Sequence, residues 1–279
     1  MNKNFYLILF YFIPEFIWTN ILYSFYMNDA LEKNIVKVIA PMAGITNGQF
    51  CRKFAFQGFD MVTIGGYNVD AETIVAGEEI IERGRSEFKI PQKDIIHHIK
   101  EQINIIREDN PWKGMISVNL RAVTPSPMVD ISKLSGLDVV EINAHCRQPE
   151  IMDLGCGQSL LNNPDQLHDF TQEVVNNAES KVSVKIRANV PGTDMKSIVK
   201  SVEDAGADYL HVDAMKPGHP HADYDIISSI REYSDIFLIG NNSINDLESA
   251  QKMLNTGADG FSIARSLLNG KIPFDLSSM

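Results

Sequence analysis

Lys37-Val38-Ile39-Ala40-Pro41-Met42-Ala43-Gly44-Ile45-Thr46-Asn47 and, near the other end of the chain, Gly257-Ala258-Asp259-Gly260-Phe261-Ser262-Ile263-Ala264-Arg265 are the two ends of a ladder of β-branched runs. The runs occupy 36–40, 61–65, 115–119, 138–143, 182–187, 208–213, 236–240 and 259–264. Most are near-continuously apolar, as strands buried on both faces are, and each is closed by small or polar residues. The stretches between them carry helix signals. Asn163-Pro164 opens a helix over 164–178 with an N-cap and a first-turn proline. Residues 194–205 and 246–256 have apolar positions at helical spacing and stop at Gly206 and Gly257. The long gap after the second run reads as two helices, 70–83 and 92–108, around Phe88-Lys89-Ile90-Pro91, an elaboration rather than a second domain. Alternating strands and helices predict a parallel sheet with helical crossovers. Eight such units in roughly 250 residues predict α/β architecture, a single (β/α)8 TIM barrel.

Composition fits a globular domain, with 44% hydrophobic and 22% charged residues. Cys51, Cys146 and Cys156 form neither a disulfide framework nor a paired CxxC metal pattern, which predicts a reducing, cytoplasmic setting and no metal centre. A net charge of −11 argues against strong intrinsic nucleic-acid binding, which needs a basic face for phosphates. P-loop, GxGxxG and HExxH motifs do not occur. Residues 1–26 stand apart. From Asn4 to Tyr26 there is one charge, Glu15, among dense Phe, Tyr, Ile and Leu, long enough to span a bilayer. Pro14-Glu15 falls mid-segment, where an acid costs about 3 kcal/mol. A membrane anchor, a secretory signal and an extension preceding a true start at Met27 are the competing readings; the last is preferred. The barrel is assigned to 27–279 on any of them.

In a TIM barrel chemistry sits where strands end. The first run ends in Ala40-Pro41-Met42-Ala43-Gly44, small enough for a flat ring to lie on the backbone. The third ends at Asn119, an amide in the mouth. In the fifth, Ser183, Lys185 and Arg187 share one face. Two inward cations are costly without an anion or an electron-rich ring, and a salt bridge to Glu141 or Asp213 is the alternative. Ile239-Gly240-Asn241-Asn242-Ser243 and Ile263-Ala264-Arg265-Ser266 follow strands 7 and 8, the usual phosphate cradle of such barrels. Cys146, in a loop after the fourth run beside His145 and Arg147, is a candidate acid or nucleophile, or a buried packing residue.

Together these segments resemble the dihydrouridine synthases, flavin enzymes of tRNA modification. That family opens its barrel with APMAG(V/I)T(D/N), matched at Ala40 to Asn47, and ends its fourth strand in NxxCP followed by a Gly and a Leu-Leu pair. Asn143, Cys146, Gly157, Leu160 and Leu161 fall on that spacing. Its VKxR strand is matched by Val184, Lys185 and Arg187, an Ala-Asp-Trp signature by Ala222-Asp223-Tyr224, and its GNGD and IGR loops by Gly240 to Ser243 and Ile263 to Arg265. The resemblance spans about residues 36–270. It implies FMN lying on Pro41, Met42 and Ala43, with Asn119 and Lys185 at the polar edge of the ring. The phosphate would sit on Asn241, Asn242, Ala264 and Arg265. It also implies NADPH or NADH as reductant, Asn143 and Arg187 on the substrate side, hydride transfer to C6 of uracil, and Cys146 as proton donor to C5.

Four departures matter. Arg147 replaces the family's proline after the cysteine, and Asp213-Ala214-Met215 replaces its HGR. The loop Lys216 to His221 is short and carries His219 and His221, a pair without a third metal ligand in view. The family's C-terminal helical domain, which grips tRNA, has no counterpart before Met279. The expected substrate is therefore a uracil-type ring, free or in tRNA presented by a partner, and membrane contact is expected only if residues 4–26 are an anchor. A dehydrogenase of a small ring, like the dihydroorotate dehydrogenases, and a non-flavin phosphate-binding barrel are the alternatives.

Overall fold

A computed structural model of the chain describes residues 35–108 and 112–279; the N-terminal extension lies outside the described residues. Eight parallel strands close in sequence order into a barrel. They are β1 (Val36–Ile39), β2 (Met61–Asn68), β3 (Met115–Arg121), β4 (Val139–Ala144), β5 (Lys181–Arg187), β6 (Tyr209–Asp213), β7 (Phe237–Asn241) and β8 (Gly260–Ile263). The TIM barrel read from the sequence is what the structure shows. Among the described residues no helix is long and apolar enough to cross a membrane.

Two strands run further than the sequence indicates. Gly65-Gly66 looks like a strand end, yet β2 continues to Asn68 through a register shift between Gly65 and Tyr67. An extra residue in one strand of a pair bends it without ending it. β3 likewise reaches Arg121, which pairs with Asn68. The outer helices begin where caps dictate. Asn47 caps Gly48–Ala55, Asp70 and Thr73 form a reciprocal box at Ala71–Glu82, and Asn163 caps Pro164–Asn177. The second insertion helix is Ile95–Arg107, preceded by a 3-10 turn at Gln92–Asp94, and it buries Ile99, Ile103 and Ile106 at helical spacing.

Inward positions recur every second residue, and their polarity rises along each strand. Val139, Glu141 and Asn143 on β4, Tyr209, His211 and Asp213 on β6, and Phe237, Ile239 and Asn241 on β7 share this gradient. Val38, Met61, Val139, Tyr209 and Ile239 form an apolar plug at the N-terminal end. A buried polar layer of Asn119, Glu141, Ser183, His211 and Ser262 lies above it. Outward residues such as Ile142, Val184, Ile186 and Leu210 join the main core with the helices.

The seam between β8 and β1 is tight. Gly260 pairs with Val36, and a Cβ there would lie 2.3 Å from the Val36 carbonyl oxygen. At Gly240 the nearest atom, at 2.2 Å, is the sulfur of Met253, a flexible side chain. Gly260→Ala is expected to destabilise the fold by about 1–3 kcal/mol, and Gly240→Ala by less. Equal shifts of the urea midpoint would contradict this.

Candidate active site

A cavity of about 1100 Å³ opens at the C-terminal end of the barrel. Pro41, Met42, Ala43, Asn119, Asn143, Cys146, Lys185, Arg187, Asn241, Asn242, Ala264 and Arg265 all line it, so the tertiary structure brings the expected catalytic, cofactor-side and substrate-side residues to one cavity, while His219 and His221 lie outside it. Its floor is held by one carboxylate. Glu141, 2% exposed, accepts from Asn119 Nδ2 (2.8 Å) and Ser183 Oγ (3.1 Å), and lies 2.8 Å from His211 Nδ1. A carboxylate only accepts, so Nδ1 carries the imidazole proton and Nε2 takes the Ser262 hydroxyl at 2.7 Å. Lys185 Nζ stands 3.4 Å from the same Nε2. Burial opposes the charge of Glu141, but His211, Lys185 and the Asn119 bond outweigh it and hold the carboxyl at about 2. Burial also lowers Lys185.

From this floor a chain of amides reaches the cysteine. Asn143 Nδ2 donates to Asn119 Oδ1 (2.8 Å), and Asn143 Oδ1 accepts from the backbone N–H of His145 (3.1 Å) and Cys146 (2.8 Å). The Cys146 carbonyl accepts from Gln158 N (2.8 Å). Gly157 makes that approach possible, because its φ is +58° and a Cβ there would sit 2.5 Å from the same carbonyl oxygen. Arg83 ties the outer side of the loop to Gln148 and Glu150 at 2.7 and 2.8 Å. The loop without the family's proline is thus fixed by hydrogen bonds. Cys146 is partly exposed, whereas Cys51 and Cys156 are buried. Burial pushes the Cys51 thiol up, and the Cys156 thiol up to about 12.

His145 reaches across the mouth to Asp213, Nε2 to Oδ2 at 2.6 Å. Arg187 pairs with the same carboxylate oxygen at 3.2 Å, and Asn242 Nδ2 donates to the other at 2.8 Å. Of the two anions the sequence offered the inward cations, Asp213 meets Arg187 and Glu141 acts on Lys185. Burial holds His145 down at about 4, against the pull of Asp213, so the ring is neutral at pH 7. Nε2 lies 2.6 Å from the Asp213 carboxylate and 2.9 Å from Arg187 NH2. A carboxylate only accepts, so Nε2 carries the proton toward Asp213, the guanidinium bonds the carboxylate rather than the ring, and Nδ1 has no hydrogen-bond partner among the described residues.

The β7 and β8 ends form an anion-shaped recess. Asn242 and Ser243 have φ of 114° and 52°. The Asn241 amide is engaged with Ser262 O and the Asn242 amide with Asp213, so these side chains shape the loop. The backbone N–H groups of Asn242, Ser243 and Ile244 have no protein acceptor among the described residues. Unpartnered backbone donors on residues that line the cavity beside an exposed Arg265 suit an anion.

Sequence reasoning missed Arg121 and Glu87. Arg121 follows Asn119 by two residues on β3 and therefore faces the same way; ending the strand at 119 concealed it. Glu87 comes from the insertion between β2 and β3, and only folding brings it to the mouth. Six cationic side chains line the cavity (Arg85, Arg121, Arg147, Lys185, Arg187, Arg265) against the carboxylates of Glu87 and Asp213. The mouth is cationic although the chain as a whole is acidic. No cluster of ligands able to hold a metal occurs among the described residues.

Comparison with known proteins fits this geometry. Residues 38–274 match the family described as dihydrouridine synthase. An uncharacterized protein of Methanocaldococcus jannaschii is 41% identical over 248 residues, 88% of this chain and 93% of that protein. tRNA-dihydrouridine synthase B of Escherichia coli K12 is 26% identical over 82% of this chain and 67% of its own length. Among solved structures, FabK from Thermotoga maritima superposes with a TM-score of 0.55 at 16% identity, over 87% of this chain and 62% of that one, a likeness of fold. With a family match across the whole barrel, the chain belongs to the dihydrouridine synthase family.

Proposed function

We propose that the protein is an FMN-dependent oxidoreductase that reduces the C5=C6 bond of a uracil-type ring, with NADPH or NADH as reductant and Cys146 as proton donor. The observation that carries this reading is the placement of a partly exposed thiol on a hydrogen-bonded loop in the same cavity as Pro41, Met42 and Ala43 and the unpartnered N–H groups of Asn242 to Ile244. The residues fit the cofactor. Unpartnered N–H groups at Asn242 to Ile244, with Arg265, would hold its phosphate, and Ala264 leaves the approach open. Pro41, Met42 and Ala43 would carry its ring, with Asn119 and Lys185 at the polar edge. When bound, FMN supplies the hydride that adds to C6.

The protein's own part is orientation and one proton. Cys146 gives its S–H proton to C5, leaving a thiolate that regains a proton from solvent. Lys185 and Asn119 are fixed by the Glu141 network, so little reorganisation accompanies the charge that develops beside them. Neutral His145 offers Nδ1 as an acceptor for a ring N–H, and Arg187 stands beside it as a donor on the substrate side.

The protein is expected to copurify with FMN, seen as a visible absorbance band and identified by mass spectrometry after release. Colourless protein that takes up no added FMN would sink this reading. Arg265→Ala should weaken FMN binding by about 1.5–3 kcal/mol, the range for a bond to a charged group. Unchanged affinity would move the phosphate elsewhere.

Cys146→Ala should leave FMN bound and reducible while slowing turnover of the organic substrate roughly 100-fold or more. Cys51→Ala and Cys156→Ala should not share that defect. Three similar variants would make Cys146 a packing residue.

Substrate identity is tested by deleting the gene and quantifying dihydrouridine in total tRNA, alongside a tRNA titration of the pure protein. The acidic chain is expected to bind bulk tRNA no tighter than the non-specific range, about 10⁻⁴–10⁻⁶ M by analogy with DNA. Loss of one dihydrouridine position would assign tRNA as the substrate. Unchanged dihydrouridine would direct the search to small unsaturated rings.

A further inference from the structure

The wall beside Cys146 contains an ion pair that packing alone does not account for. Arg121, with a side chain 1% exposed, meets Glu87, 5% exposed. Its NH1 donates to Glu87 Oε1 at 3.1 Å and its NH2 bonds Glu87 Oε2. NH2 also donates to the Gly66 carbonyl at 3.0 Å, and NH1 lies 3.6 Å from Cys146 Sγ. Four of the five guanidinium N–H groups are thereby directed, and the fifth, on Nε, is buried without a partner. A buried pair of this kind contributes little that two apolar side chains of equal volume would not, because desolvation offsets the attraction. What an apolar pair cannot supply is a cation against the sulfur.

We propose that Arg121, oriented by Glu87, is a positioning residue for the reaction: it fixes the Cys146 sulfur and stabilises the thiolate left after proton delivery. The proposal rests on Cys146 being the proton donor. The backbone on either side of the sulfur is already tied, its N–H to Asn143 and its carbonyl to Gln158. The guanidinium adds the third restraint, on the reacting atom itself. A cation set against a sulfur favours a thiolate, so the contact that orients the acid also faces the charge that proton delivery leaves behind. Glu87 fixes the guanidinium through both of its carboxylate oxygens. The other ionisable groups around the sulfur are His145 and Arg147 on its loop, Arg187 on β5 with its partner Asp213, and the buried Cys156 thiol.

The test is the pH profile of Cys146 alkylation by iodoacetamide in the full chain, read by mass spectrometry at that residue. Cys51 and Cys156 are buried and serve as unreactive internal controls. Arg121→Met alone would strand Glu87, so the informative variants remove both charges together. Arg121→Met with Glu87→Leu replaces the pair by apolar groups, and Arg121→Gln with Glu87→Gln keeps hydrogen bonding. In each folded double variant the midpoint of the profile should rise by about one pH unit or more. Arg121→Lys should recover part of that rise, as a point charge without the fork. An unchanged midpoint in either folded double variant overturns the proposal. The alkylation readout needs neither FMN nor turnover, so failure of the flavin reading would be seen separately, as protein that binds no FMN.

Discussion

A carboxylate inside a barrel is tolerable only when its charge is fully engaged, and Glu141 is the point on which this site is built. Strands β3, β5 and β6 each send one polar side chain to it, and β8 joins through Ser262 and His211. Removing any one of these would leave a buried polar group without its partner, a loss of about 1–3 kcal/mol. The network therefore does two things at once. It ties strands together above the apolar plug, and it fixes the rotamers of Asn119 and Lys185 at the cavity floor. The same amide chain, through Asn119 and Asn143, sets the backbone of the cysteine loop. Floor and loop are one hydrogen-bonded object.

That connection explains how this chain departs from its family at two positions and keeps a formed site. Arg147 stands where the family has a proline, and the stiffness a proline provides is supplied instead by Asn143, Gln158 and the Arg83 ties to Gln148 and Glu150. Asp213 stands where the family has a histidine, and His145 from the neighbouring loop reaches it at 2.6 Å. The mouth thus regains an imidazole from a different strand, with an acid to set its tautomer. These are compensations between residues far apart in sequence.

Net charge describes the whole chain, while ligands meet a local field. The formal sum over the chain is −11, yet the cavity is lined by six cations and two carboxylates. A cationic mouth in an acidic body focuses anions onto the site while the rest of the surface repels them.

The alternating β-branched runs, the helix caps and the glycine stops determined the barrel, because period and capping are local properties. The strand-end motifs likewise determined which residues gather at one mouth, since closing eight strands leaves their C-terminal ends no other place to meet. Asn119, Cys146, Lys185 and Arg265 were legible for that reason. Arg121 and Glu87 were not. A glycine pair that reads as a strand end is a bulge in three dimensions, and Glu87 sits in an insertion whose path no periodicity encodes. His145 and Asp213 were visible as residues but not as partners. Their pairing depends on the distance between two strand ends across the mouth, a quantity set by barrel closure and side-chain reach rather than by spacing along the chain.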